Sequence, residues 1–275
     1  LQEDKITGEV ILIDNDSTDD SVVQLKKAFK DLVIIENAKN TGFASANNQG
    51  MKQAKGQYFL LLNSDTILHQ HALKHLLDTF DRYPEIGDSE SLEHTQAIDR
   101  LGIISGQLQH QDGSIQVQGG ALPTVFNISA WWLWPFPGAL PLGSHSYHQE
   151  SPAFFETERK TGWVGGTAMM IKREVVEEIG YLDEGIFMYA EDVELCVRAS
   201  KHHWDVLITP LAKITHFGSA SSGAQHALIG EVKGLLFLAH KHFSFSSARL
   251  LTIIFWLGAL LRYVLFGIIL NNEVK

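Results

Sequence analysis

Short apolar runs separated by polar clusters organise the first third of the chain. Val10–Ile13 is apolar and β-branched and runs into Asp14-Asn15-Asp16-Ser17-Thr18-Asp19-Asp20. That pattern predicts a buried strand, a loop and a capped helix reaching about Lys30. Leu32–Ile35 predicts a second strand, Asn40–Phe43 a turn, and the residues to about Ala54 a helix. Gln57–Leu62 predicts a third strand, and His69–Tyr83 an amphipathic helix stopped by Pro84. Alternating strands and helices imply an α/β fold with a mostly parallel central sheet flanked by helices. Ligands of such sheets bind beyond the carboxyl ends of the strands. Asp14, Asp16 and Asp65 fall there.

Farther along the periodicity weakens. Asp88–Arg100 is acidic and weakly patterned, so a mobile loop is expected. Ile103–Gln118 contains Gln111-Asp112-Gly113-Ser114, a hairpin signal between two short strands. Phe126–Glu150 carries Trp131, Trp132, Trp134, Phe136 and three prolines, and no regular element is expected in it. Gly162–Ile171 is strand-like, Lys172–Ile179 and Ala190–His203 are helical, and Val206–Thr209 is a strand ending at Pro210. Leu250–Leu270 differs in kind: 21 residues with one charge, Arg262, and no wet face. At 1.5 Å per residue it is long enough for a ~30 Å hydrocarbon core. Residues 1–225 are therefore expected to form the globular domain, and 226–275 a helical, membrane-contacting segment.

Composition narrows the function. The chain has 275 residues, 45% of them apolar, enough for a sizeable core. A formal charge of −10 argues against a nucleic-acid partner, which needs a basic stripe. It leaves open a metal-dependent enzyme, because a cation neutralises substrate phosphates locally. Cys196 is the single cysteine, so no disulfide forms within the chain, and it reads as a small buried hydrophobe.

The candidate chemistry must be weighed against plainer readings. Asp14 and Asp16 are also what a strand-to-helix loop uses for turns and caps. Asp65 is more specific, because a carboxylate directly after Leu60-Leu61-Leu62 needs compensation. A hard divalent cation bridging to phosphate would supply it; a helix cap by Ser64 or Asp65 is the plain alternative. Glu191 and Asp192 open a helix, where the dipole favours acids in any case. Only one of them can face a site, leaving the other for backbone or Arg198. Gly165-Gly166 inside a strand-like run suits close approach of a ligand, or a bulge. A lone His216 is more often structural, and His71 with His75 reads as an exposed helix face.

Taken together, these stretches resemble one family. They are Val10–Asp19, Asn40-Thr41-Gly42-Phe43-Ala44 with Asn47-Asn48-Gln49-Gly50, and Leu62-Asn63-Ser64-Asp65-Thr66. Later come Trp163–Met169, Gly180–Glu184, Phe187–Leu195 with Arg198, and His216. The chain resembles a family 2 nucleotide-sugar glycosyltransferase of the Rossmann-like GT-A fold, rhamnosyltransferase-like branch. The resemblance spans about 210 residues in family order. It implies an inverting transfer from a nucleoside-diphosphate sugar to a glycan or lipid-linked glycan in bacterial surface polysaccharide synthesis. Asp192 would be the base with Glu191 beside it, and Asp65 and His216 would hold Mg²⁺ or Mn²⁺. Asp14, Asp16, Asn40, Gly42, Asn48, Asn63, Ser64, Asp65, Gly165 and Gly166 would line the nucleotide-sugar site. Asn63 occupies a slot that is acidic in the family, leaving one carboxylate where the family has two. Family members also carry a strand and helix before the strand at Val10, so the chain is expected to be N-terminally incomplete. A cytoplasmic place at the inner face of the cell membrane is implied. Two alternatives stay open: a non-catalytic GT-A-like scaffold or glycan-binding protein, and a sugar-nucleotide nucleotidyltransferase.

Overall fold

The computed structural model describes residues 4–83, 100–134, 143–218 and 224–265. Strand β1 (Ile11–Asp14) pairs in parallel with β2 (Val33–Glu36), and α1 (Ser21–Ala28) connects them. Helix α2 (Phe43–Gln53) leads into the central sheet. That sheet runs β3 (Tyr58–Leu62), β9 (Ala168–Lys172), β5 (Leu101–Gln109), β10 (Asp205–His216), β4 (Thr66–Leu68), with β7 (Arg159–Thr161) also on β10. A small ribbon pairs β6 (Gly119–Gly120) with β8 (Trp163–Val164).

The α/β architecture is as expected, but the strand directions of the central sheet are mixed. Only β5 and β10 run parallel; β3–β9, β5–β9, β10–β4 and β10–β7 are antiparallel. Parallel neighbours need a crossover of a dozen or more residues. Three residues, Asn63–Asp65, separate β3 from β4, so β4 turns away to the opposite edge.

Both faces of the sheet are covered, which explains the unbroken burial of β5 from Leu101 to Leu108. Ile104, Met170 and Leu207 point to α3 (Ala72–Arg82), whose Ala72, Leu76 and Phe80 close that side. Their chain neighbours Ile103, Met169, Ile171, Val206 and Ile208 point the other way. There they meet α5 (Arg173–Ile179), α6 (Glu191–Lys201), α7 (Ala224–His242) and α8 (Phe245–Arg262). Leu235, Leu238, Ala239, Leu251 and Phe255 sit in that same core, so residues on both sides of position 225 share it.

Several expectations are corrected locally. Ile103–Gln109 is part of one nine-residue strand, and the return arm of the hairpin shrinks to the bridge Gln109–Ile115. The turn itself forms, with His110 N–H donating to Ser114 O. Val125–Leu133 is a helix, α4, in the stretch expected to be irregular. Its cause is local: Thr124 and Asn127 form a reciprocal capping box. Strand β10 continues past Pro210 because a register shift between Thr209 and Lys213 takes the missing N–H out of the ladder. The acidic stretch 88–99 lies outside the described residues, as do 266–270 of the apolar tail.

Helix α8 is two-sided by packing rather than by polarity. Ala248, Leu251, Phe255 and Gly258 form its inner stripe. Leu250, Ile253, Trp256, Leu257 and Leu260 lie exposed. Trp132 Nε1–H donates to Phe255 O at 2.9 Å, and Arg262 lies 4.3 Å over the Trp132 ring while bonding Trp132 O. The one charge in the apolar segment therefore turns inward onto α4. Phe245–Leu265 is long and apolar enough to cross a membrane, with 22% of its most apolar window buried.

Candidate active site

The loop after β1 is built on a residue that sequence reasoning missed. Asn15 Nδ2 donates to Asn40 Oδ1 at 2.9 Å, and Asn15 Oδ1 accepts from Asn37 Nδ2 and Thr41 N. Asn40 Oδ1 also accepts from Gly42 N at 2.9 Å. Gly42 has φ +84°, and a Cβ there would overlap the carbonyl oxygen of Phe187. Asn40 and Gly42 thus shape the loop that docks on residue 187, where Phe43 N–H donates to Phe187 O. Asp14 accepts from Ser17 N, and Asp16 is exposed in the left-handed region. Asn48 is buried, bonded to both the N–H and C=O of Leu182 and to Glu184 Oε1. Its side chain holds the 182–184 turn.

Asp65 and His216 come together although 151 positions apart. Antiparallel pairing sets His216 opposite Thr66, and Phe217 N–H donates to Asp65 O. His216 Nε2 then lies 3.4 Å from Asp65 Oδ1. On the other ring nitrogen, His216 Nδ1 is 2.8 Å from Gln116 Oε1. That oxygen only accepts, so Nδ1 donates to it and Nε2 faces the Asp65 carboxylate. With Nε2 unprotonated, the pair fits two ligands of one divalent ion. Among the described residues no group of three or more His, Cys, Asp or Glu side chains could hold a metal. Substrate phosphate oxygens would have to complete the shell.

The segment 163–167 ties this corner to α6. Asn63 N–H donates to Thr167 O, Asn63 O accepts from Thr66, and Ser64 is exposed. Gln118 lies across Gly165, where a Cβ would collide with its carboxamide, and donates to Thr167 Oγ1 at 2.9 Å. Gly166 N–H donates to Asp192 Oδ2 at 2.8 Å, and Val193 N–H to Asp192 Oδ1 at 2.8 Å. Burial pushes the Asp192 carboxyl above its ordinary range, while those two bonds favour its charge. Glu191 is buried with Oε2 lacking any partner. Burial first, then the charge of Asp192, pushes it up to about 8. Glu191 and Asp192 thus titrate as one buried pair, in which the two backbone N–H groups favour placing the charge on Asp192. Arg198 pairs with Glu194, at 2.8 Å, rather than with Glu191 or Asp192. Cys196 is buried as expected, its thiol pushed up to about 12 by burial.

Beyond Asp192 stands a cluster with no sequence signal. Tyr147 Oη and His148 Nε2 both bond Glu231 Oε1 of α7, at 3.2 and 2.6 Å. Trp131 packs on His148, their centroids 5.1 Å apart.

The α/β sheet, with an acid and a histidine at a strand end and a buried acid at a helix start joined by a glycine segment, has the GT-A fold. Solved structures of that fold agree. GalNAc-T7 with UDP, GalNAc and Mn²⁺ has TM-score 0.53 and 17% identity over 78% of this chain and 38% of that one. Mannosyltransferase PcManGT from Pyrobaculum calidifontis, with GDP-Man and Mn²⁺, has 0.50 and 14% over 85% and 54%. The chain therefore spans about a third to a half of these solved proteins. Residues 2–91 match the family described as Glycosyl transferase family 2. The N-acetylglucosaminyl-diphospho-decaprenol L-rhamnosyltransferase of Mycobacterium tuberculosis is 25% identical over 248 residues, covering 85% of this chain and 75% of that protein. The hexosyltransferase Agl10 of Haloferax volcanii, of low-salt glycan biosynthesis, is 24% identical over 74% of this chain and 57% of its own length. Over residues 2–91 the chain thus resembles family 2 glycosyltransferases, and over most of its length it is similar to a rhamnosyltransferase and a hexosyltransferase.

Proposed function

We propose that the chain moves a sugar, with inversion, from a nucleoside-diphosphate sugar to a glycan or lipid-linked glycan in bacterial surface polysaccharide synthesis. One observation carries the reading: the bonded run from the Asp65–His216 pair through Asn63, Thr167 and Gly166 to Asp192. It supports the reading by tying the proposed cation ligands and the proposed base to one frame.

Asp192 takes the acceptor hydroxyl proton as that oxygen attacks the anomeric carbon, and the nucleoside diphosphate leaves from the opposite face. Its raised proton affinity suits the role. Neutral Glu191 keeps the pair to a single charge. A divalent cation, Mg²⁺ or Mn²⁺, held by Asp65 and His216 would stabilise the leaving diphosphate as a Lewis acid. We assign Asp14 and Asp16 to the nucleoside end, with Asn40 and Gly42 shaping that loop. Asn63, Ser64, Gly165 and Gly166 are assigned to the sugar-diphosphate path, and Asn48 to the support behind it. The decaprenol-linked acceptor in the name of the mycobacterial relative supports a lipid-linked acceptor. The exposed side of α8 is read as membrane-contacting, with the protein at the inner face of the cell membrane. An unpaired, buried cysteine suits that reducing side.

Calorimetric titration of UDP, dTDP and GDP, with and without Mn²⁺, tests the reading. Metal-dependent binding of one nucleotide, abolished in Asp65→Ala, is expected. Binding that ignores both the metal and Asp65 would overturn it.

A further inference from the structure

Two buried side-chain atoms among the described residues lack a hydrogen-bond partner: Gln118 Oε1 and Glu191 Oε2. Gln118 overlies Gly165, and the neighbour of Glu191, Asp192, is bonded to Gly166 N–H. A protein seldom buries an amide oxygen without a donor, so each such atom needs an explanation.

Gln118 is held firmly in this state. Gly119, the next residue, pairs with Val164, and Gln118 Nε2 is committed to Thr167 Oγ1 at 2.9 Å. Thr167 is itself buried, and its carbonyl accepts from Asn63 N–H. The carboxamide is thus anchored at its nitrogen end with its oxygen unpaired. The partner it selects must donate. A diphosphate offers only acceptor oxygens and would be repelled. A sugar hydroxyl donates, and sugar hydroxyls must come to this place if Asp192 is to remove a proton from one.

We propose that Gln118 is a specificity-determining residue whose Oε1 accepts a hydrogen bond from a pyranose hydroxyl of the donor sugar or the acceptor. This rests on the glycosyltransferase reading above. It adds a contact that no sequence motif marks: Gln118 lies outside every stretch that carries the family resemblance. Gln116, two residues earlier, faces His216, so alternate residues of one extended run serve the two ends of the site.

The test compares wild type with Gln118→Met, which keeps the length and removes the acceptor, and Gln118→Glu, which keeps an oxygen. Probes are UDP, dTDP and GDP, then UDP-glucose, dTDP-L-rhamnose and GDP-mannose, by calorimetry with Mn²⁺. Circular dichroism and thermal melting check folding. If the hydroxyl is the donor's, Gln118→Met keeps bare-nucleotide affinity and loses about tenfold or more for the nucleotide sugar, with Gln118→Glu partly restoring it. If it is the acceptor's, donor binding is unchanged, while kcat/KM for an N-acetylglucosaminyl-diphospho-polyprenol falls by that factor and acceptor-free donor hydrolysis does not. Equal binding and equal kcat/KM in folded Gln118→Met would overturn the inference. Wild type that binds none of the probes would instead sink the glycosyltransferase reading beneath it.

Discussion

Replacing Glu191 by Gln should remove a pH dependence of stability that the fold builds in. The folded carboxyl sits near 8 against an ordinary 4.5, because it is buried beside Asp192 with one oxygen unpaired. Between those values the folded chain holds a proton that the unfolded chain releases. The contribution of Glu191 to stability is therefore greatest below 4.5 and falls as pH rises through the window. At ~1.36 kcal/mol per unit, the gap from 4.5 to about 8 amounts to about 5 kcal/mol, an upper figure because Asp192 shares the effect. Glutamine is neutral throughout and nearly the same size. Urea unfolding at pH 5, 6, 7 and 8 should show Glu191→Gln gaining on wild type by about 1 kcal/mol per unit, so that the two curves diverge upward. Parallel curves across that range would refute the claim that Glu191 is buried as the acid.

Asp192→Asn should lower kcat by ~10²–10⁴ while leaving calorimetric donor affinity within about twofold, since it removes the proposed base and keeps the volume. Gln116→Leu should weaken Mn²⁺ binding ~10–100-fold, read by the free-ion EPR signal, because His216 loses the bond that fixes its tautomer. Trp256→Ser with Leu260→Ser alters only exposed side chains of α8, so melting should hold while sedimentation with anionic lipid vesicles falls roughly tenfold or more. Unchanged vesicle binding would remove α8 from the membrane reading.

The parts of this fold that were legible in the sequence are those whose cause is local. Tyr58–Leu62 had to be a buried strand, and Asp65 at its end had to be compensated. Glu191 and Asp192 had to open a helix after a turn. What stayed hidden depends on partners far along the chain. Gln116 reaches His216 across 100 positions, and Glu231 reaches Tyr147 across 84. Neither glutamine nor a lone glutamate shows any periodic sign of such a role. Asn15 was hidden differently: among so many loop-forming residues, its five bonds to the 37–42 turn could not be told from a cap. Helix α4 was legible in principle through Thr124 and Asn127, but three tryptophans and the following prolines masked it.

The start of α6 shows how one helix sorts three acids into three states. Tyr189 and Ala190 both stand in the left-handed region, φ 72° and 71°, which costs ~1–2 kcal/mol for each side-chain-bearing residue. Tight contact with Gly234 of α7 holds that turn, since a Cβ there would strike Tyr189 O. From this entry, Glu194 points into Arg198, Lys241 and His242, at 2.9, 2.8 and 2.9 Å. Burial works against its charge, yet those bonds more than offset it and hold the carboxyl below its ordinary value. His242 is kept neutral by burial, donating to Glu194 and accepting from Lys201. Asp192 receives two backbone N–H groups and no cation, so it stays ionisable with raised proton affinity. Glu191 receives nothing on Oε2 and keeps its proton. Composition alone gives this helix end three equivalent carboxylates. Its neighbours hold one as an anion and raise the proton affinity of the other two, and in the proposed reaction Asp192 is the one that takes the acceptor proton.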